Sequence, residues 1–147
     1  MKNWILCLAL AVSGCAGGGS GGGGNADAGG GGGGGGGNNN AYTGTWKGDV
    51  SGWSITLVVK DATEAGGSYY ITGTSSTNKA SCFSTGTLSG TITPNAGATL
   101  IAQSDNGDTT INIQGPVANG KITAKVEAQG ETADCTFQST SATFTRQ

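Results

Sequence analysis

From Tyr42 onward, apolar residues recur at every second position. In the stretch 53–60, Trp53, Ile55, Leu57 and Val59 share one face. In 120–129, Ile122, Ala124, Val126 and Ala128 form an apolar face, and Lys121, Thr123, Lys125 and Glu127 a polar one. Ile111 and Ile113 repeat the pattern in 109–115. A period of two is that of a half-buried β-strand, and no stretch carries the stripe of an amphipathic helix. With turn residues as boundaries, eight strands are predicted, over 42–50, 53–60, 68–76, 83–93, 98–104, 109–115, 120–129 and 135–146. The last is irregular: Phe137 and Phe144 have opposite parity, so a bulge between them is expected to turn both inward.

Eight short strands joined by hairpin-length turns predict an all-β, up-and-down meander closed into a barrel. Closure removes both sheet edges, which matters for strands this rich in Thr and Val. A β-sandwich is the alternative. Many inward positions are Gly, Ala, Ser or Thr, which suits either a cavity for one small ligand or a narrow, filled barrel.

Before residue 42 the alternation stops. Residues 16–41 are almost entirely glycine, with no apolar side chain larger than Ala. Nothing there offsets the entropy of ordering the chain, so a disordered tether is predicted. A coil of this composition has a root-mean-square span of roughly 25–30 Å. A phosphate-cradling glycine loop would need a strand before it and a helix after it, and neither is predicted.

Residues 1–14 read as an export signal. Lys2 supplies the positive region, and Trp4 to Val12 is an apolar run. Nine residues rising about 1.5 Å each reach roughly 14 Å, about half a bilayer core. The run Val12-Ser13-Gly14-Cys15 resembles the bacterial lipobox. The resemblance implies cleavage before Cys15, a diacylglycerol thioether on its sulfur and an acyl group on its amine. Several acyl chains anchor firmly where one binds marginally. An ordinary signal peptide with a chance Cys is the alternative. Ala16, in place of an Asp, favours the outer membrane of a bacterial envelope. The expected organisation is a signal (1–14), a lipidated Cys and linker (15–41) and a barrel domain (42–147).

With Cys7 in the signal and Cys15 lipidated, Cys82 and Cys135 remain, and an exported domain favours their pairing. In a meander alternate loops share an end, and both cysteines fall at the same one.

Gly44-Thr45-Trp46 in the first strand and Arg146 in the last resemble the Gly-x-Trp and terminal basic residue of the calycin barrels, the lipocalins and avidins. The resemblance implies that Trp46 plugs a closed end and Arg146 lies across it, and a cation–π contact between them is expected. It does not extend to biotin. Where avidins carry an Asn, two positions after the Trp, this chain has Gly48, and no Trp occurs beyond Trp53. Bacterial lipoprotein inhibitors of lysozyme and metalloproteases are similar in size and disulfide use, but none of their motifs is present.

The far end is expected to carry Trp53 and Phe83 as an aromatic lip, with Asp105, Asp108, Glu131 and Asp134 around an open, disulfide-braced mouth. The plainer reading is that Trp53 and Phe83 cap the core and the acidic residues make soluble turns; Asp105-Asn106-Gly107-Asp108 is good hairpin chemistry. That turn supplies too few oxygens to hold calcium alone.

The chain has no histidine and is mildly acidic, with a formal charge of -2. No basic stripe for nucleic acid is present. The commonest general base is missing, and the carboxylates sit in turn-like contexts rather than apolar pockets, so no catalytic residue, metal site or cofactor is expected. The expected function is a membrane-anchored lipoprotein whose barrel binds a small molecule or a protein partner at its far end. The alternatives are a structural envelope protein with a filled barrel, or an inhibitor of a hydrolase.

Overall fold

The computed structural model describes residues 41–147. The signal segment, Cys15 and the glycine linker lie outside the described residues. The strands are β1 (Gly44–Val50), β2 (Trp53–Ala65), β3 (Ser68–Thr77), β4 (Thr85–Thr93), β5 (Gly97–Ser104), β6 (Thr109–Gly115), β7 (Val117–Ala118), β8 (Lys121–Gly130) and β9 (Phe137–Arg146). Every pairing is antiparallel, and the neighbours run β6-β5-β4-β3-β2-β1-β9-β8. Pairing of β6 with β8, from Thr109↔Gly130 to Gln114↔Lys125, closes the ring. β7 is a two-residue spur on the hairpin leading into β8. The fold is therefore an eight-stranded meander barrel, and ring closure sets the sandwich aside.

Alternation builds the core. The buried positions include Ile55, Leu57, Leu88, Leu100, Ile111, Ile113, Ile122 and Val126. Hairpin turns are supplied where both central residues take positive φ, as at Gly66-Gly67 (62° and 79°) and Asn119-Gly120 (51° and 69°). The expected bulge in the last strand is present: Ala128 faces Phe137 while Val126 faces Thr140, so β9 carries one extra residue. Phe144 is fully buried and Phe137 packs against the core.

Strand limits differ from expectation by one or two residues at several ends and by five in β2. Residues 61–65 continue β2 instead of forming a loop, because the register shifts between Val59 and Asp61 and moves the inward position from Val59 to Ala62. β4 begins at Thr85 and not at Phe83, which puts Phe83 in the preceding loop with Cys82. Cys135 ends a short 3-10 turn, Ala133–Cys135, and does not open β9. A bulge and a covalent tie each interrupt alternation without altering the composition from which it is read.

At the end where Ala41 enters, hereafter proximal, Trp46 is buried and its Nε1 donates to the Tyr42 carbonyl at 2.9 Å. Tyr42 packs edge-on against Tyr69, ring centres 4.8 Å apart. Arg146 pairs with Trp46 across β1 and β9, and its Nη1 donates to the Ala41 carbonyl at 3.0 Å. Gly44, at φ 118°, lies under that guanidinium; a Cβ there would fall 3.3 Å from Arg146 Nε. Arg146 thus lies across the proximal end, and the tie the structure shows is to a backbone carbonyl, where a cation–π contact with Trp46 had been expected.

Aromatic rings are set over two inward glycines. A Cβ on Gly48 would fall 2.9 Å from Phe144 Cδ1, and one on Gly86 would fall 2.7 Å from Phe83 Cζ. At these two positions the space beside the glycine is occupied by a neighbouring ring. The buried polar residues are satisfied as well: Ser104 Oγ accepts from the Thr109 amide at 3.0 Å, and the Ser75 hydroxyl donates to the Thr87 carbonyl at 3.3 Å. No buried side-chain polar atom among the described residues lacks a partner.

Candidate functional site

The distal end is built by the Ser51-Gly52 turn and the loops 78–84, 105–108 and 131–136. The 78–84 loop folds back on itself, with the amides of Cys82 and Phe83 both donating to the Lys79 carbonyl at 2.9 and 2.8 Å. The Thr77 hydroxyl donates to the Phe83 carbonyl. Asn78 hooks the loop to its neighbour: its Oδ1 accepts from the Ser54 amide at 2.8 Å and its Nδ2 donates to the Gly52 carbonyl at 3.3 Å. These bonds aim Phe83 into the barrel.

The Cys82–Cys135 disulfide then ties this loop to 131–136, with Cα atoms 5.2 Å apart. Phe137, two residues beyond Cys135, meets Trp53 edge-on at 5.5 Å between ring centres. Trp53 is 3% exposed and Phe83 1%. Both therefore cap the core, as the plainer reading has it, and no lip is left open between them. The part played by Phe137 was missed in the sequence; its break of parity was the available signal.

The four carboxylates ring this cap without converging. Asp105 accepts from the Thr85 hydroxyl at 2.6 Å, and Asp108 accepts from Asn106 Nδ2 at 2.6 Å. Glu131 and Asp134 are exposed, Asp134 within the turn that carries Cys135. Among the described residues no three His, Cys, Asp or Glu are grouped so as to hold a metal ion. Two shallow clefts lie beside the disulfide. One of about 200 Å3 is lined by Ala80, Ser84, Thr85 and Asp105, and one of about 100 Å3 by Ser81, Asp108, Glu131 and Thr132. Cys82 and Asn106 border both. Across the distal loops the acidic residues are opposed by Lys79 alone. The surface offers carboxylate, hydroxyl and carbonyl acceptors around a closed apolar plug.

No family model matches the chain, and no curated protein and no solved structure is significantly similar to it.

Proposed function

We propose that the chain is a lipid-anchored protein of a bacterial envelope whose filled barrel presents an acidic, disulfide-braced end to the basic face of a protein partner. The single observation that carries this reading is the closure of the distal mouth. Trp53 and Phe83 are buried there, and the carboxylates stand outside them. Recognition is then placed on the outer surface, because Trp53 and Phe83 close the mouth and rings already lie over Gly48 and Gly86. An acidic patch around a rigid cap speeds encounter with a basic partner and loses that advantage as salt rises. Attachment through Cys15, with Ala16 after it, rests on the lipobox pattern and directs the protein to the outer membrane. The reading is of a binding protein, without catalysis, cofactor or bound nucleic acid. Inhibition of a hydrolase is one form it takes, if the partner is an enzyme.

The test places a photo-cross-linker at Asn106 on the distal end or at Asn95 on the proximal end, in the native host. Cross-linking of a protein from Asn106 and not Asn95, weakened by Asp105→Asn with Asp108→Asn, supports the proposal. Equal cross-linking from both ends overturns it. So does native mass spectrometry that finds a small molecule retained by the folded domain. The anchor is tested separately: Cys15→Ser is expected to release the protein from washed membranes.

A further inference from the structure

Charge is divided between the two halves of the barrel wall. β1, β2, β8 and β9 carry every charged residue found in a strand: Lys47, Asp49, Lys60, Asp61, Glu64, Lys121, Lys125, Glu127 and Arg146. β3, β4, β5 and β6 carry none, although they are four consecutive neighbours. Their outward positions are Thr, Ser, Asn and Gln, interrupted by Tyr70 and Ile101. Those two, 55% and 43% exposed, are the exposed large apolar residues among the described positions. Both fall on the uncharged half.

The register aligns these side chains in ranks across the strands. One rank runs Tyr70, Thr91, Thr99, Gln114, and the next runs Thr72, Ser89, Ile101, Asn112. Between them lies a cleft of about 190 Å3 lined by Thr99, Ile101, Asn112, Gln114 and Glu127. Asn112 Nδ2 donates to Glu127 at 3.1 Å, which holds the amide in place at the border of the charged half.

We infer that this face binds a neutral, linear polysaccharide laid across β3 to β6, an inference that goes beyond the distal-end reading and does not depend on it. Charge is the first argument. A nucleic acid or an anionic membrane needs Lys or Arg, and this half has neither. A hydroxyl-rich chain needs uncharged donors and acceptors, which Thr, Asn and Gln supply, with Glu127, already held by Asn112, the one charged side chain lining the cleft. The apolar C–H face of a sugar ring packs on an exposed aromatic ring, and Tyr70 stands at one end of the first rank. Area is the second argument. Four strands about 4.8 Å apart and some seven residues of about 3.3 Å each make a face of only about 440 Å2. A stable second copy needs about 800 Å2 on each side. A single extended chain needs far less.

The full chain, solubilised in neutral detergent, is run in native gels cast with hydroxyethylcellulose, laminarin, galactomannan or glycol chitin, with polygalacturonate as the charged control. Retardation by at least one neutral polymer and none by polygalacturonate is expected. Tyr70→Ala is expected to weaken it about tenfold with the melting temperature unchanged, because the ring is half exposed. Ile101→Lys, which puts a charge between the ranks, is expected to weaken it similarly, whereas Lys47→Ala on the other half leaves it unaltered. The inference fails if none of the four polymers retards the chain, or if both Tyr70→Ala and Ile101→Lys leave retardation unaltered. A concentration-dependent dimer abolished by Ile101→Lys overturns it in favour of a second copy. None of these results bears on cross-linking from Asn106, so the two proposals fail separately.

Discussion

At the proximal end the barrel is closed by side chains on short connections. Trp46 bonds to Tyr42 just upstream, Tyr69 follows the Gly66-Gly67 turn, and Arg146 reaches the Ala41 carbonyl. At the distal end the plug residue Phe83 sits inside a seven-residue loop, 78–84, and that loop is tied to 131–136 by the disulfide. Both ends bury aromatic rings. They differ in what holds the rings there. A short hairpin places its side chains by strand geometry alone, whereas a longer loop has more conformations to lose and gains more from a cross-link. Among the described residues the covalent tie is found at the end where the plug is carried by a loop. The comparison teaches that the cysteines serve closure of the mouth as much as stability of the domain.

That contrast can be broken by substitution. Trp46→Ala removes one of the two buried tryptophans and is expected to cost about 5 kcal/mol in denaturant unfolding, enough to threaten a domain of this size. Cys82→Ser with Cys135→Ser releases a loop with a sequence separation of 53. The expected loss is roughly 4 kcal/mol in the chain-entropy model, read as a lower thermal midpoint. An intact midpoint would show that the loops hold their places without the tie. Phe83→Ala is expected to cost about 3 kcal/mol when the disulfide is present and clearly less in the Ser/Ser background, because the loop that aims the ring is then free. Strict additivity would sink the idea that disulfide and plug act together. Arg146→Ala, at the exposed edge of the proximal end, is expected to cost under about 1 kcal/mol, since its bond to the Ala41 carbonyl competes with water.

Strand identity was legible because alternation and turn chemistry are local. Ser51-Gly52, Gly66-Gly67 and Asn119-Gly120 mark hairpins wherever they occur, and the parity conflict of Phe137 and Phe144 announced the bulge in β9. The shift near Lys60 left no such mark, since Asp61, Thr63 and Glu64 look as much like a loop as like an exposed strand face. At the distal end the positions of Trp53, Phe83 and the carboxylates were readable, and whether the rings formed a lip or a cap was not. That depends on where the Lys79 carbonyl and the Asn78 side chain steer the loop. The uncharged half was present in the sequence as strands without Lys, Arg, Asp or Glu. Its meaning as one surface appears only when β3 to β6 are known to be neighbours.

The sequence by itself determined the all-β class, the eight staves and their meander order, and the cysteine pair, while closure into a ring came from the β6–β8 pairing. Each follows from a period of two, from turns that permit only neighbouring connections, or from counting. Whether the barrel was hollow or solid lay beyond it. The inward Gly48 and Gly86 are equally consistent with empty space and with a ring from elsewhere. Only the tertiary structure, by setting Phe144 over the first and Phe83 over the second, decided that a ring occupies each place. The physical reason is that filling is a relation between distant residues: it is fixed by which strand or loop delivers a side chain across the barrel axis.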